Sequence, residues 1–398
     1  MAALAEQYGT PLFIYDEEQL RARCREAVTA FGDGAAYATK AFLCTAMAQL
    51  AAEAGMLLDV STGGELYVAL HAGVEPQRLV LHGNNKSVSE LRQALEVGVH
   101  RIIVDSREEL DRLENLSSEL GVVPKIWLRI TPGVEAHTHA YVQTGQEDTK
   151  FGFSVASGAA LAAVERAQQS AAVQLVGLHA HIGSQVFDAD SFAKAAEVVG
   201  AFFIPLGLDE LCLGGGLGVA YVAGESAPSL TAWAEATKAA LARVGVDLGK
   251  VRLGAEPGRA IVAAAAVTVY TIGTIKDLPG LRTYVAVDGG MSDNPRPVLY
   301  GSGYEALLAR APEAPRPRRV RIVGKHCESG DVLVAEAQLP DDVAVGDLLV
   351  TPVTGAYGYS MASTYNKVPR PAVVFVGGGH HRLVVRRETY ADLVALDT

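Results

Sequence analysis

Lys40 is the first residue whose setting points to chemistry, because it lies in the otherwise apolar run YATKAF. Burying an ammonium group without a partner is costly, so such a lysine is often ion-paired or bonded covalently as a Schiff base. This run alone does not distinguish an ion-paired lysine from a Schiff base, so the other segments have to be considered.

Three consecutive glycines, Gly214, Gly215 and Gly216, follow an apolar run in the segment LGGGLG. Consecutive glycines expose backbone N–H groups that can hold a phosphate. The segment is not a Walker loop, since no Gly-Lys-Ser/Thr follows, and it does not match the GxGxxG dinucleotide pattern. A tight turn with positive φ is the alternative. One turn does not need three glycines, which favours phosphate binding.

Two further segments, EPGR and HIGSQ, also place polar groups directly after apolar runs. Glu256 can face a pyridine nitrogen and keep it protonated, which makes the ring an electron sink. A local salt bridge between Glu256 and Arg259 is the alternative. His181 can stack on a flat cofactor and Ser184 can donate to a phosphate oxygen, although a lone histidine is more often a packed polar residue.

The last third of the chain contributes the segments CESGD, NPRPVLY and GAYGYSM. The Cys327 thiol can donate a proton and Glu328 can bind an amine, although a buried cysteine is more often a small apolar residue. Arg296, Tyr300 and Tyr357 suit the binding of carboxylates and phosphates. Their alternative is ordinary, since surface arginines and half-buried tyrosines are common.

The elements that must position these residues follow from an alternation of apolar runs with amphipathic helical stretches between residues 37 and 259. This alternation favours parallel strands joined by helices. Eight such runs favour a closed (β/α)8 barrel, whose active sites are built at the carboxyl ends of the strands. The polar residues at these ends are Lys40, Asp59, Ser61, His82, Asp105, Arg129, His181, Ser184, the glycines 214–216, Glu256 and Arg259.

After about residue 260 the helical periodicity gives way to β-branched runs bounded by turns, which predicts an antiparallel β domain of the sandwich or barrel type. We therefore predict an N-terminal segment over 1–24 that packs with this domain, a barrel over 25–265 and the β domain over 266–398. The polar insertion 133–151 is typical of a cover over a catalytic rim.

Composition excludes several classes of function. A length of 398 residues favours two domains, and a net charge of -11 argues against nucleic-acid and anionic-membrane partners. The cysteines at 24, 44, 212 and 327 are far apart, which predicts neither a disulfide framework nor a metal cage and fits a reducing cytoplasm. The N-terminus shows no signal peptide and the apolar stretches are too short to span a bilayer.

The ordered set of segments resembles the alanine-racemase-like, fold type III family of pyridoxal-phosphate decarboxylases, from about Thr10 onward. The matching segments are YATKAF, LDVSTGGEL, LHGNNKS, HIGSQ, GGGLG, EPGR, NPRPVLY, CESGD and GAYGYSM. The resemblance implies pyridoxal 5'-phosphate as the cofactor. It further implies decarboxylation of meso-2,6-diaminopimelate to L-lysine and carbon dioxide, the last step of lysine synthesis.

The resemblance also implies a role for each residue. Lys40 would hold the cofactor covalently, His181 would stack on its ring and Glu256 would pair with the ring nitrogen. The other cofactor-binding residues would be Ser184, Gly214, Gly215, Gly216, Gly258, Arg259 and Tyr357. The substrate would be bound by Arg259, Arg296, Tyr300, Glu328, Ser329 and Tyr357. Family members are homodimers with sites completed across the interface, so Cys327, the implied proton donor, and Glu328 would come from the partner subunit.

Two features depart from the family pattern. Lys325 and His326 precede the thiol where small or apolar residues are expected, which would affect the pocket mouth, and the chain begins close to its first strand. A decarboxylase of the same fold acting on ornithine, arginine, lysine or a D-amino acid remains the alternative, although it would be expected to change Arg296 or the ESGD segment. A racemase would need a tyrosine in place of the thiol, and a barrel-only cofactor carrier would lack the β domain.

Overall fold

The chain divides into two compact units. A computed structural model describes residues 1–133 and 148–398. The β unit comprises Met1–Leu20, Ala220–Glu225 and Ile261–Thr398, and the barrel unit comprises Arg21–Val219 and Ser226–Ala260. The cover predicted over 133–151 lies largely outside the described residues.

One short segment falls in a different unit from the one the sequence suggests. Ala220–Glu225 clusters with the β unit, whereas the sequence analysis placed it in the barrel. Its contacts explain the difference, because the Ala223 amide donates to Glu305 Oε1 over 2.9 Å and the Tyr221 ring lies against the Arg296 guanidinium. The boundaries at residues 24 and 265 stay predictions.

The described residues form eleven α-helices and eighteen strands. The helices are α1 (Ala2–Tyr8), α2 (Glu17–Phe31), α3 (Thr45–Glu53), α4 (Gly63–His71), α5 (Val88–Val97), α6 (Arg107–Leu120), α7 (Ala159–Gln169), α8 (Ala189–Phe203), α9 (Leu230–Arg243), α10 (Arg259–Val262) and α11 (Arg296–Tyr300). The strands are β1 (Leu12–Asp16), β2 (Ala36–Ala38), β3 (Leu57–Val60), β4 (Leu79–Leu81), β5 (Arg101–Val104), β6 (Lys125–Thr131), β7 (Phe153–Ser154), β8 (Gln174–Ala180), β9 (Glu210–Cys212), β10 (Arg252–Gly254), β11 (Ala266–Leu278), β12 (Arg282–Val287), β13 (Leu307–Leu308), β14 (Arg318–Val323), β15 (Val332–Leu339), β16 (Leu348–Pro352), β17 (Ala372–Gly377) and β18 (His380–Val385).

The barrel unit is built on a parallel sheet in which β2, β3, β4, β5, β6, β8, β9 and β10 pair in this order. Each strand lies within or overlaps one of the eight apolar runs of the sequence. The Ala36 amide donates to Ala255 O over 2.8 Å, and the Ala255 amide donates to Gly34 O over 3.1 Å. These bonds join the first strand to the segment after the last, so the predicted (β/α)8 barrel is confirmed.

Polar caps fix where five helices of the barrel unit begin. In each case a side-chain oxygen accepts a bond from the amide three residues later, which satisfies an N–H that the helix leaves unpaired. These caps are Thr62 before α4, Ser87 before α5, Ser106 before α6, Asp188 before α8 and Ser229 before α9.

The predicted C-terminal β domain is confirmed, and its sheet is mixed, with mostly antiparallel strand pairs. β1 is parallel to β17 and β12 is parallel to β14, whereas the other pairs are antiparallel. A parallel pair needs a long connection between its strands. The whole barrel separates β1 from β17, and the segment 288–317 separates β12 from β14.

A buried ion pair fastens the loop after β4 to the end of β5. The Lys86 Nζ donates to Gly83 O over 2.7 Å, to Ile103 O over 2.6 Å and to Glu109 Oε1 over 2.6 Å, and both charged side chains are buried. Removing one partner of such a pair leaves an uncompensated charge. We expect Glu109→Ala to lower the free energy of unfolding by about 3–5 kcal/mol.

This prediction is checked by urea unfolding followed by tryptophan fluorescence, since Trp127 and Trp233, the only tryptophans, both lie in the barrel unit. Arg92→Ala is the matched control. It breaks an ion pair with Glu119 of 2.9 Å whose side chains are exposed by 34% and 59%, and such pairs contribute about 0–1 kcal/mol. Equal losses in the two variants would contradict the prediction.

Candidate active site at the strand ends of the barrel unit

Glu256, two residues after β10, is the centre of a buried cluster of polar side chains. Its Oε1 lies 2.9 Å from His82 Nε2, directly after β4, and its Oε2 lies 2.9 Å from His179 Nε2 on β8. His82 Nε2 is also 3.6 Å from Asp59 Oδ1 on β3. Residues from four separate strand ends therefore meet at one carboxylate, as expected at the carboxyl rim of a barrel.

The electrostatics of this cluster favour an ionised Glu256. Burial opposes the charge, but His82 and His179 together hold the pKa of Glu256 well below its ordinary value. His82 is likewise opposed by burial, but Asp59 and Glu256 raise its pKa, which favours the imidazolium. Burial lowers the pKa of His179 to about 4 and raises that of Asp59 to about 6.

His181 and Lys40 lie at the same rim. Burial, followed by the nearby Lys40 ammonium, lowers the pKa of His181 well below its ordinary value, so its imidazole is neutral. The Gly215 amide donates to its Nδ1 over 3.1 Å. The hydrogen-bonded nitrogen is therefore the acceptor, and the ring carries its proton on Nε2.

Lys40 is exposed, so the sequence argument that treated it as a lysine buried inside a strand is wrong. β2 ends at Ala38, and Thr39–Ala41 form a short 3₁₀ turn that carries the lysine past the strand. Its ammonium still influences both Asp59 and His181 electrostatically. The amine is thus at the rim and open to a reacting group, which a buried, ion-paired lysine would not be.

The glycines Gly214, Gly215 and Gly216 are each required by close packing. A Cβ at these positions would lie 2.6 Å from Ala180 O, 2.2 Å from Glu256 O and 2.3 Å from Gly183 O, respectively. Gly258 is similar, since its Cβ would lie 2.9 Å from Ala38 O. Packing therefore explains the glycines more directly than a phosphate does.

The glycine loop nevertheless lies among suitable donors for an anion. Within the part of the chain that the structure describes, the amides of Gly216 and Leu217 donate to no acceptor. The Gly216 carbonyl accepts from Val186 N, which places the loop beside the HIGSQ segment. There the Arg259 Nη2 donates to Ser184 Oγ over 2.9 Å. Amides, a hydroxyl and a guanidinium together suit a phosphate group.

The residues of the barrel unit fit pyridoxal phosphate on these grounds. Lys40 offers an accessible amine, the loop with Ser184 and Arg259 offers phosphate donors, and Glu256 offers a carboxylate for a ring nitrogen. Among the described residues, His82, His179 and Glu256 form the one group of His, Cys, Asp or Glu side chains close enough to hold a metal ion. Sequence reasoning predicts no metal there.

In the β unit, Arg296 is held between two tyrosines. It begins α11, is buried, and its Nη1 donates to Tyr304 Oη over 2.6 Å. Its guanidinium carbon lies 4.3 Å from the centre of the Tyr221 ring. Tyr300 ends the same helix and is half-buried. The tyrosines fix the direction of the guanidinium, which preorganises it for an anion.

All residues of the CESGD segment except its last, Asp331, are exposed in the β unit. Cys327, Glu328 and Ser329 are all open to solvent, and Cys327 is a free thiol. The Cys327 amide donates to Asn366 Oδ1 over 3.3 Å and the Tyr365 hydroxyl donates to Glu328 Oε2 over 3.5 Å. An exposed thiol and carboxylate are free to act on another molecule.

Two further residues of the β unit have informative conformations. His326 is buried with its Nε2 2.8 Å from Ser292 Oγ, so it anchors the segment. Tyr357 is half-buried with a φ of 59°. Positive φ is uncommon for a residue with a Cβ and is concentrated at functional sites.

The structure brings the predicted barrel residues to one rim. The candidates in the β unit, Arg296, Tyr300, Cys327, Glu328, Ser329 and Tyr357, belong to the other unit. Sequence reasoning names His82 only as a strand-end residue and does not name His179. The signal was present, since His179 near the end of β8 precedes His181, directly after the strand, by two residues, and extended backbone places such residues on one face.

Comparisons with known proteins point to one family. Residues 17–263 match the family model for the pyridoxal-binding domain of pyridoxal-dependent decarboxylases. The chain is 49% identical to diaminopimelate decarboxylase of Mycobacterium tuberculosis, covering 100% of this chain and 93% of that protein. It is 48% identical to the enzyme of the same name from Bacillus subtilis, covering 99% and 92%.

Among solved structures, diaminopimelate decarboxylase from Helicobacter pylori, complexed with L-lysine, has a TM-score of 0.91 and 32% identity, covering 100% of this chain and 98% of that one. The M. jannaschii enzyme, also with L-lysine, has a TM-score of 0.92 and 35% identity, covering 100% and 94%. A lysine/ornithine decarboxylase from Vibrio vulnificus, at 22% identity and a TM-score of 0.80, shares the fold alone. No helix among the described residues is long and apolar enough to cross a membrane.

Proposed function

The chain belongs to the pyridoxal-dependent decarboxylase family, and we propose that it converts meso-2,6-diaminopimelate to L-lysine and carbon dioxide. The observation that carries the substrate is similarity over the full length to relatives of that name, at 42–49% identity. The site in the barrel unit supports the cofactor. Decarboxylation makes the protein a carboxy-lyase.

The barrel residues have the following proposed tasks. When bound, pyridoxal phosphate supplies an electron-withdrawing ring that accepts the electron pair left by carbon dioxide. Lys40 would hold the cofactor covalently, His181 would stack on its ring, and Glu256 would pair with the ring nitrogen. The phosphate would be held by Ser184, Gly214, Gly215, Gly216, Gly258, Arg259 and Tyr357.

Substrate recognition is proposed to depend on charge. Diaminopimelate carries a second carboxylate that lysine and ornithine lack, and the preorganised Arg296 guanidinium suits it. Arg259, Tyr300, Ser329 and Tyr357 complete the substrate contacts. Glu328 binds the distal amine, and the Cys327 thiol returns a proton to the carbon that has lost carbon dioxide. The net charge of -11 does not prevent this, because distant charges are screened.

We further propose that the protein acts as a cytoplasmic homodimer. Cys327 and Glu328 are exposed in the β unit, which leaves them available to a site in a second copy of the chain. A homodimer with two-fold symmetry would complete two such sites at once. The four cysteines, all among the described residues, form no disulfide bond, which fits a reducing compartment.

The test of the proposed function is carbon dioxide release from purified protein with added pyridoxal phosphate. Diaminopimelate, ornithine, arginine and lysine are supplied in turn. Release from diaminopimelate alone supports the proposal, whereas release from ornithine or arginine alone would overturn the substrate. No visible absorption from bound cofactor would overturn the whole assignment.

Tyr221 provides a sharper test of substrate recognition. Tyr221→Leu removes the ring against the Arg296 guanidinium, and a desolvated cation–π contact contributes about 2 kcal/mol. We expect KM for diaminopimelate to rise about tenfold or more with kcat little changed. Steady-state kinetics measures both constants.

Tyr221→Phe is the matched control for that variant, because it keeps the ring and removes the hydroxyl. Its KM should stay within about twofold of the wild-type value. A fall in kcat without a change in KM, or the same KM in both variants, would show that the ring does not position Arg296 for substrate.

A further inference from the structure

Two histidines lie beside the buried Glu256 carboxylate. His179 Nε2 bonds to Oε2 over 2.9 Å, and His82 Nε2 lies 2.9 Å from Oε1. The backbone is fixed as well, since the Glu256 amide donates to Gly214 O over 2.7 Å. Both carboxylate oxygens therefore have a histidine beside them.

The two histidines differ in charge. His179 is neutral because burial lowers its pKa, and within the described residues its Nδ1 has no hydrogen-bond partner. The proton must then be on Nε2, where it is donated to Glu256. His82 lies between Glu256 and Asp59, 3.6 Å from the latter, and these carboxylates favour its imidazolium. One histidine supplies a hydrogen bond and the other a positive charge.

We propose that His179 and His82 are positioning residues that keep Glu256 a carboxylate and thereby keep the ring nitrogen of pyridoxal phosphate protonated. This inference rests on the proposed function, since it concerns the cofactor that function requires. In a pair of Glu256 and the ring, a single proton bonds either to a carboxyl oxygen or to the nitrogen lone pair. If the proton leaves the oxygen for the nitrogen, a carboxylate and a protonated ring remain.

The contacts bias that proton towards the nitrogen. A carboxylate that accepts hydrogen bonds or faces a cation is a weaker base, and these effects are stronger in a buried site. The Arg129 guanidinium also acts to lower the pKa of both histidines, but its effect is smaller than that of burial. Without the histidines, the buried Glu256 would take the proton back, and the ring would withdraw electrons less strongly.

The histidines also have geometry that permits a metal ion, since their ligand atoms and that of Glu256 lie within 4.8 Å of one another. The His179–Glu256 contact of 2.9 Å is that of a direct hydrogen bond. A metal between these atoms would replace the proton that the proposal needs. Metal analysis of the purified holoenzyme is therefore part of the test.

The experiment is nitrogen-15 NMR of the holoenzyme loaded with ring-labelled pyridoxal phosphate, because the shift reports whether the ring nitrogen carries a proton. The wild-type signal is expected in the range of a protonated ring. In His179→Leu and His82→Leu, made separately, it should move towards the neutral range, and kcat should fall about tenfold, as for one charge-assisted hydrogen bond.

His179→Gln is the matched control, since its amide nitrogen reaches as far as the imidazole Nε2 and donates a hydrogen bond. It should keep the protonated signal and most of kcat, which a merely structural role for the ring would not predict. If the His179→Leu protein does not fold, as judged by tryptophan fluorescence, His82→Leu and the comparison of His179→Gln with the wild type decide the matter.

The outcomes separate this proposal from the function itself. Wild-type protein that binds no cofactor would overturn the proposed function. Cofactor binding with a neutral ring nitrogen, or an unchanged signal in both leucine variants, would overturn only the role of the histidines. Stoichiometric zinc or another metal in the active holoenzyme would overturn it as well.

Discussion

Replacing Lys40 by alanine is expected to remove both the visible absorption of the bound cofactor and the decarboxylase activity. Lys40 is the exposed amine at the carboxyl end of β2, close enough to His181 and Asp59 to affect both. Without it the cofactor has no covalent attachment, and no amine is left to exchange protons there. We expect kcat to fall by a factor on the order of 10⁴, the upper end for a positioned proton-transfer group. Absorption spectra and carbon dioxide release check the two effects.

Lys125→Ala is the control for this variant. Lys125 is also exposed and also borders a barrel strand, but it begins β6 and so lies at the amino end of the sheet. Active sites of barrels are at the other end, so absorption and activity should be retained. A Lys40→Ala protein that keeps the visible band, or a Lys125→Ala protein that loses it, would show that the cofactor is attached elsewhere.

Replacing Cys327 by alanine is expected to lower kcat by about 10²–10⁴-fold, the range for a general acid, while cofactor absorption is retained. The thiol is exposed in the β unit, and no barrel residue among those described carries an exposed thiol. Cys24→Ala removes a buried thiol whose pKa burial raises to about 12, so it should not affect turnover. Steady-state kinetics of the three proteins compares them. Equal activity in all three would exclude the thiol as proton donor.

Co-expression of Lys40→Ala with Cys327→Ala tests whether one site draws on two subunits. If it does, half of the dimers formed at random are hybrids, and each hybrid has one site with neither substitution. The mixture should then recover about a quarter of the wild-type activity. If both residues act within one subunit, every site keeps a substitution and no activity returns, which would contradict the shared site but not the role of Cys327.

The barrel was predictable because its signals are local. Apolar runs, such as the one containing Leu57–Val60, and the helical stretches between them specify strands and crossovers without knowledge of distant partners. Parallel order then brings all carboxyl ends to one rim, so Glu256 and His181 could be assigned to the same site. The caps that start the helices, such as Ser87, are equally local.

What could not be predicted depends on contacts between distant residues. His179 and Glu256 are 77 positions apart in the chain, and nothing in the sequence near either residue specifies their contact. The six residues Ala220–Glu225 carry no strand signal, and their place in the β unit is set by Glu305 and Arg296. The exposure of Lys40 depends on a single short turn, Thr39–Ala41. The turn lies within an apolar run, which by itself predicts a strand.

The position of β1 has a consequence for the order in which the chain is made. β1 pairs with β11 at Leu12 and Val269 and with β17 at Leu12 and Ala372, so it lies between strands synthesised long after it. During synthesis on the ribosome, the barrel can form its own hydrogen bonds before β11 and β17 are available, and both edges of β1 stay unpaired until then. Strand edges of this kind are prone to aggregate. The β unit is therefore the last part of the nascent protein to close, and chaperones would act there during synthesis.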